Sequence, residues 1–104
     1  LEMEIPKVLW LKENMPEEWW GKALDGGKFL DLADFLVYRA TGEATRSLCT
    51  TVCKWNYDAE AGGWDRSFLD QIGLDDLLPD HIGTRVEAPG YAAGGLTDAA
   101  AAGL

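Results

Sequence analysis

The chain has 104 residues, a hydrophobic fraction of 47%, five tryptophans and a formal net charge of −9. This length and composition suit one domain with a modest packed core and argue against disorder. The acidic excess argues against nucleic acid or an anionic membrane surface as a partner, because both are bound through clustered Lys and Arg. No apolar run approaches the roughly 18 residues of a membrane span.

Helices are predicted along the first part of the chain. Pro6 suits the first turn of a helix that runs to about residue 14. Pro16 opens a second helix, which the glycines at 26–27 stop. The clearest helix spans Asp31–Ala40, with Asp31 or its neighbour as the cap and Gly42 suited to the left-handed conformation after its end. The apolar positions at helical spacing, which predict its buried face, are Leu32, Phe35, Leu36 and Ala40.

The stretch 45–57 begins with small and β-branched residues, which predict an extended strand. Cys49 and Cys53 lie four residues apart within it, and on a strand this spacing separates them by roughly 13 Å. A disulfide needs Cα atoms within about 7 Å. We therefore expect two reduced, partly buried thiols and a cytoplasmic protein.

Lys54 closes the apolar run, between Cys53 and Trp55. A cation among apolar neighbours must be paired, extended towards solvent or used chemically. Two interpretations stay open from composition alone. Lys54 is either a surface lysine whose stem lies on Trp55 or a residue that binds something.

The second half of the chain predicts shorter elements. Trp64 is expected to fold back against Trp55 or Tyr57 in an irregular hairpin, and Asp65 is a good N-cap. The further elements are a helix at 66–72, a helical turn at 74–79, a weak strand at 84–88 and an alanine-rich helix capped by Thr97. The predicted fold class is α+β, mostly helical, with two or three short strands.

Local catalytic patterns are sparse. The chain has no glycine-rich phosphate loop, and the two cysteines with one histidine make a poor zinc set. That histidine, His81, lies in a turn-like setting that favours a solvated side chain over a catalytic base. The acidic pairs 17–18 and 75–76 are adjacent in sequence and do not converge on a helix, so we interpret them as first-turn charges and solvated faces.

Five segments, in order, resemble the FGGY family of carbohydrate kinases. Residues 7–14 resemble the family signature K-x-x-W-L-x-[DE]-N, and 29–42 resemble a helix that ends in Thr-Gly. The stretch 45–57 resembles the strand that follows, with R-S-L-C-x-x-V-C-K-W closest to the ribulokinase-like branch. Residues 63–74 resemble the W-D…GL segment of the family, and 89–97 resemble the run that leads to the next core strand. Glu4 departs from the Ser or Thr of the broader signature.

The resemblance implies a fragment of an actin-like, ribonuclease-H-like kinase domain, with residues 1–104 forming part of the N-terminal sugar-binding domain. It implies a parent enzyme that phosphorylates a pentulose such as ribulose, or a pentitol, with ATP and Mg²⁺. The phosphate loop and the catalytic base lie outside these residues. No catalytic residue and no cofactor site are therefore expected here, and the chain alone is expected to be inactive.

Two residues match sugar contacts of the family, Lys54 and Trp10. For Trp10, packing in the core is an equal alternative. The expected partners are a small-molecule sugar and the rest of the kinase chain, and self-association as a homo-oligomer stays open. An alternative function is a non-catalytic binding or interaction module derived from a sugar kinase.

Overall fold

Short helices dominate the computed structural model, which describes residues 2–104. The predicted class, α+β and mostly helical, is confirmed. The described residues form six α-helices, one 3₁₀ helix and four strands of two residues each: α1 (Ile5–Asn14), α2 (Glu17–Leu24), α3 (Leu32–Thr41), β1 (Arg46–Ser47), α4 (Leu48–Trp55), β2 (Tyr57–Asp58), β3 (Gly63–Trp64), α5 (Arg66–Gln71), the 3₁₀ helix (Asp75–Leu77), β4 (Val86–Glu87) and α6 (Asp98–Ala102).

The first three helices begin and end where the sequence predicts. Pro6 lies in the first turn of α1, and Pro16 directly precedes α2. The acidic pair at 17–18 occupies the first turn of α2, where its negative charge interacts favourably with the positive end of the helix dipole. Gly42 follows α3 with φ 78°, the left-handed conformation that glycine adopts without strain.

The strands form two separate pairs. β1 and β4 are parallel, with Arg46 opposite Val86. β2 and β3 are antiparallel, with Tyr57 opposite Trp64. Their two rings meet edge to face, with centroids 5.0 Å apart. The irregular hairpin is therefore confirmed, with Tyr57 as the partner of Trp64.

The core lies between α1, α2, the end of α4 and the segment that contains α5 and the 3₁₀ helix. Phe29 joins its two buried tryptophans, with ring centroids 5.7 Å from Trp20 and 6.5 Å from Trp55. Each fully buried leucine or isoleucine of this core stabilises the fold by about 1.5–3 kcal/mol. The fully or nearly buried apolar residues are Ile5, Val8, Trp20, Trp55, Leu69, Leu74, Leu77 and Ile82.

The extended strand predicted at 45–57 is wrong, since Leu48–Trp55 is a helix and only Arg46–Ser47 and Tyr57, the first residue of β2, are in strands. Ser47 caps this helix, with its Oγ accepting from the backbone N–H of Thr50 at 3.5 Å. Thr51 and Trp55, four residues apart, are its buried positions. Asn56 follows with φ 59° and ends it. Capping and an i, i+4 buried face therefore override the β-propensity of the local sequence.

The helix also changes the setting of the two cysteines. Cys49 and Cys53 lie on one helix four residues apart, a spacing that brings Cβ atoms within roughly 6 Å instead of 13 Å. Both are free and both are exposed. The prediction of partly buried thiols is wrong because the buried face of α4 is the one that carries Thr51 and Trp55.

The predicted buried face of α3 is also wrong. Leu32 is 73% exposed, and Phe35 and Leu36 are exposed as well. The buried residue of this helix is Asp34. The apolar periodicity predicts the helix correctly. The side of the helix that faces the rest of the described chain is instead the one that carries Asp34, which pairs with Arg46.

Capping in the second half follows the prediction. Asp65 accepts from the N–H of Phe68 at 3.0 Å, and Thr97 accepts from that of Ala100 at 3.1 Å. Gly73, with φ 79°, lies just beyond α5. Within residues 2–104, no helix combines the length and the apolar character needed to cross a membrane.

Candidate functional site

Lys54 lies in the last turn of α4 and is half-buried. Its carbonyl accepts a hydrogen bond from the backbone N–H of Glu4 at 2.8 Å, which places the start of α1 against the end of α4. Among residues 2–104, the Lys54 ammonium forms no salt bridge with a carboxylate. A half-buried cation without a protein counter-charge is available to bind oxygen atoms of a ligand.

The neighbouring Trp55 offers little surface to a lysine stem. Trp55 is 3% exposed. The cation above its ring is Arg46, whose guanidinium carbon lies 4.8 Å from the ring centroid. Lys54 is not among the cations that lie over an aromatic ring in residues 2–104, and both interpretations of Lys54 stay open.

Trp10 is 61% exposed on α1, so it does not pack in the core that the described residues form. It lines a shallow, almost wholly apolar cleft of about 360 Å³ together with Pro6, Lys7 and Leu11. An exposed indole face suits the apolar side of a sugar ring, which makes Trp10 available for the predicted contact.

Lys54 and Trp10 lie on different helices, α4 and α1. The Glu4–Lys54 hydrogen bond brings the start of α1 to Lys54, and Trp10 lies six residues further, about 9 Å along the helix axis. In the described part of the chain, no hydrogen bond links the two residues. The cleft beside Trp10 does not include Lys54, so the described residues do not bring the two predicted site residues into one pocket.

A buried charge cluster beside Lys54 was not predicted from the sequence. The side chain of Arg46 is fully buried, and its Nε and Nη2 atoms lie 2.9 Å from Asp34 Oδ2 and Asp31 Oδ2. Its Nη1 donates to the carbonyl of Ile82. Trp55 completes the cluster, since its Nε1–H donates to Asp31 Oδ2 at 2.9 Å. The only signal in the sequence is a pair of carboxylates at i, i+3 followed by an arginine beyond the helix.

Asp31 illustrates how this cluster changes a local prediction. It occupies the N-cap position of α3 but forms no capping hydrogen bond with that helix. Its carboxylate is taken up by Arg46 and Trp55 instead. The prediction that Asp31 caps α3 is therefore right about the position and wrong about the bond.

The carboxylate of Asp76 is another departure from prediction. It accepts from Lys12 Nζ at 2.8 Å and from Trp20 Nε1 at 3.0 Å, so it is not part of a solvated face. Burial raises the pKa of Asp76, but the hydrogen bonds from Lys12 and Trp20 and the positive charge of Lys12 act together to leave the pKa below its ordinary value. This contact fixes α1 and α2 to the 3₁₀ helix.

His81 serves a structural contact. It is half-buried rather than solvated, and its Nδ1 donates to the carbonyl of Gly27 at 2.7 Å. The backbone of the same residue accepts from the N–H of Phe29 at 2.7 Å. These bonds attach the loop after α2 to the loop after the 3₁₀ helix, so His81 is engaged away from Lys54.

Across 2–104, no group of three or more His, Cys, Asp or Glu side chains is placed to hold a metal ion. The two carboxylates of the buried cluster beside Lys54 are engaged by Arg46.

No protein-family model matches the chain. It is 53% identical to the FGGY carbohydrate kinase domain-containing protein of Danio rerio, over 99% of the chain and 19% of that protein. The protein of the same name from Homo sapiens is also 53% identical, over 100% of the chain and 19% of its own length. The D-ribulokinase of Saccharomyces cerevisiae is 40% identical over 74% of the chain and 11% of its own length. The chain spans about a fifth of the length of the first two relatives, and it belongs to the FGGY carbohydrate kinase family.

Proposed function

We propose that this chain is part of the sugar-binding domain of an ATP-dependent kinase that phosphorylates a pentulose such as ribulose, or a pentitol. The observation that carries the proposal is Lys54, a half-buried cation without a salt-bridge partner among residues 2–104, in a chain 40% identical to a D-ribulokinase. The proposed fold of the parent domain is actin-like, and the proposed location is cytoplasmic, in keeping with two free thiols.

Lys54 has the chemistry that a polyhydroxylated substrate requires. Its ammonium carries three N–H donors, which suit hydroxyl and keto oxygens. Partial burial makes each of these hydrogen bonds stronger than it would be in water. Trp10 complements it by offering an exposed aromatic face to the carbon skeleton. Together they would hold one sugar at two points of its surface.

The contribution of this chain to the reaction is positioning. Phosphoryl transfer depends mainly on holding the attacking hydroxyl in line and on balancing developing charge. ATP and Mg²⁺ would supply the phosphoryl group and part of that charge balance from the rest of the kinase chain. Lys54 binds and orients the sugar, while the base that deprotonates the hydroxyl lies outside residues 2–104.

A sugar panel on the complete protein tests this function. We expect ADP release that depends on a pentulose or pentitol, with D-ribulose among the substrates and glycerol much poorer. The 104-residue chain alone should release no ADP with any sugar. Absence of sugar-dependent ADP release by the complete protein would exclude the proposed activity, and activity of the chain alone would contradict the assignment of the catalytic machinery elsewhere.

The alternative, a stand-alone interaction module, has less support. The relatives reported above carry kinase names, and the chain covers only 19% of the first two. The kinase function is therefore the one that these relatives support.

A further inference from the structure

Helix α4 is held at both ends by the first turn of α3. At its start, Asp34 Oδ1 accepts from the backbone N–H of Ser47 at 2.9 Å. At its end, Asp31 Oδ2 accepts from Trp55 Nε1 at 2.9 Å. Two carboxylates only three residues apart thus fix both ends of an eight-residue helix.

Arg46 links these two carboxylates into one rigid unit. It binds Asp34 through Nε and Asp31 through Nη2, and its guanidinium lies over the ring of Trp55. A buried ion pair contributes little net stability compared with apolar residues of the same volume, because desolvation offsets the Coulombic attraction. What the cluster supplies is fixed geometry, since a planar guanidinium and two carboxylates satisfy one another in few arrangements.

The residue at the fixed end of α4 is Lys54. It directly precedes Trp55, which is anchored by Asp31. The carbonyl of Lys54 accepts a hydrogen bond from the N–H of Glu4. Asn56, two residues further along the chain, ends the helix with φ 59°. The backbone on both sides of Lys54 is therefore fixed, while its ammonium has no ionic partner in the described part of the chain.

We propose that Asp31 and Trp55 are positioning residues that hold Lys54 at the sugar, an inference that rests on the proposed function. Neither residue needs to touch the substrate. Breaking the Trp55–Asp31 hydrogen bond would let the end of α4 move and Lys54 with it. The expected signature is a higher KM for the sugar at an unchanged KM for ATP.

The test is a double-mutant cycle in the complete protein. Trp55→Phe removes the Nε1–H donor and keeps an aromatic ring under Arg46. We expect kcat/KM for the sugar to fall roughly 10- to 100-fold, as for other residues that orient a binding group. In the Lys54→Met background, the same substitution should cause no further fall, because there is no ammonium left to position.

Trp64→Phe is the matched control. It removes an equivalent indole hydrogen bond, from Trp64 Nε1 to the carbonyl of Gly83 at 2.6 Å, outside α4. Any loss of kcat/KM that it causes should be the same whether Lys54 is present or replaced by methionine. If Trp55→Phe does not fold, Asp31→Asn replaces it, since it removes the charge at Asp31 while keeping the size of the side chain, and the same cycle is measured.

The outcomes separate this inference from the proposed function. If Lys54→Met lowers kcat/KM and Trp55→Phe acts only when Lys54 is present, the positioning role is supported. If Trp55→Phe lowers kcat/KM by the same factor in both backgrounds, its role is structural and the inference fails while the proposed function stands. If Lys54→Met leaves kcat/KM unchanged, the sugar-binding role of Lys54 fails and the positioning role fails with it.

Discussion

Arg46 shows how one buried charge organises its surroundings. Its side chain is fully buried, and an unpaired charge in that position would cost several kcal/mol. Asp31, Asp34 and the carbonyl of Ile82 satisfy its donors, and Trp55 covers its face. These partners come from three different parts of the chain, so the pairing depends on the fold and is not visible in local sequence.

Replacing Arg46 with Met should therefore destabilise the chain strongly. The substitution keeps an unbranched apolar stem but leaves Asp34 and Asp31 without their cation, and we expect a loss of about 3–5 kcal/mol in the free energy of unfolding. Urea denaturation followed by tryptophan fluorescence measures this loss. Arg39→Met, at an exposed position of α3, should change the free energy by no more than about 0.5 kcal/mol. Equal effects of the two substitutions would contradict the role of the cluster.

Asp76 predicts a pH dependence of stability. Its pKa in the folded chain lies below the ordinary value of 3.8 because its hydrogen bonds and the positive charge of Lys12 together outweigh its burial. The unfolded chain therefore takes up this proton first as the pH falls. The stabilisation is complete above roughly pH 4 and is lost as the pH falls through the lower, folded pKa.

Asp76→Asn should accordingly flatten the acid side of the stability curve. Unfolding free energies measured from about pH 6 down to about pH 2 provide the comparison. Asp75→Asn is the control, because it removes an exposed carboxylate next door and leaves the Lys12 contact in place. An acid-side loss in Asp76→Asn as steep as that of the control would rule out this contact as a source of the pH dependence.

Helix α4 marks the limit of prediction from local sequence. Where prolines, caps and glycines fix boundaries, as in α1, α2 and α5, the elements were predicted to within a few residues. In 45–57 the β-branched residues suggested a strand, but the helix is stabilised by its cap at Ser47 and by anchors on α3. Of the candidate site, Lys54 and Trp10 came from a family resemblance. The carboxylate–arginine cluster was missed because its contacts join residues 12 to 15 positions apart.

The cap of α4 gives a prediction for the element itself. Ser47→Ala should lower the free energy of unfolding by about 1 kcal/mol, the usual cost of losing an N-cap. Cys49→Ala, at an exposed position of the same helix, should leave it unchanged or raise it by a few tenths of a kcal/mol, since Ala favours helix. If this segment were a strand, Cys49→Ala would lower the free energy of unfolding, because Ala is disfavoured in strands. A destabilising Cys49→Ala with a neutral Ser47→Ala would contradict a capped helix.

The exposed apolar surface and the net charge of the whole molecule have opposite effects on its self-association. Leu32, Phe35 and Leu36 expose a continuous side of α3, a kind of patch that favours association. The net charge of −9 repels a second copy. The length of the first two relatives, of which the chain covers 19%, leaves room for other parts of the kinase to cover this side.

The isolated chain should therefore associate in a salt-dependent way. Raising the salt from about 0.1 M to about 1 M shortens the screening length from roughly 10 Å to roughly 3 Å and weakens the repulsion. Sedimentation should show a larger mean mass at high salt. Leu36→Lys should reduce it, whereas Leu96→Lys, a similarly exposed leucine outside α3, should not. A mass independent of salt and of Leu36 would contradict this balance.

Lys54 is the residue through which we propose that this segment binds the sugar of a kinase. The most direct measurement is kcat/KM for D-ribulose in the complete protein with Lys54→Met, compared with Lys22→Met. Both lysines lie in the last turn of an eight-residue helix. Loss of a charged hydrogen bond predicts a fall of roughly 10- to 100-fold for Lys54→Met alone. An unchanged kcat/KM, or an equal fall in Lys22→Met, would contradict the claim.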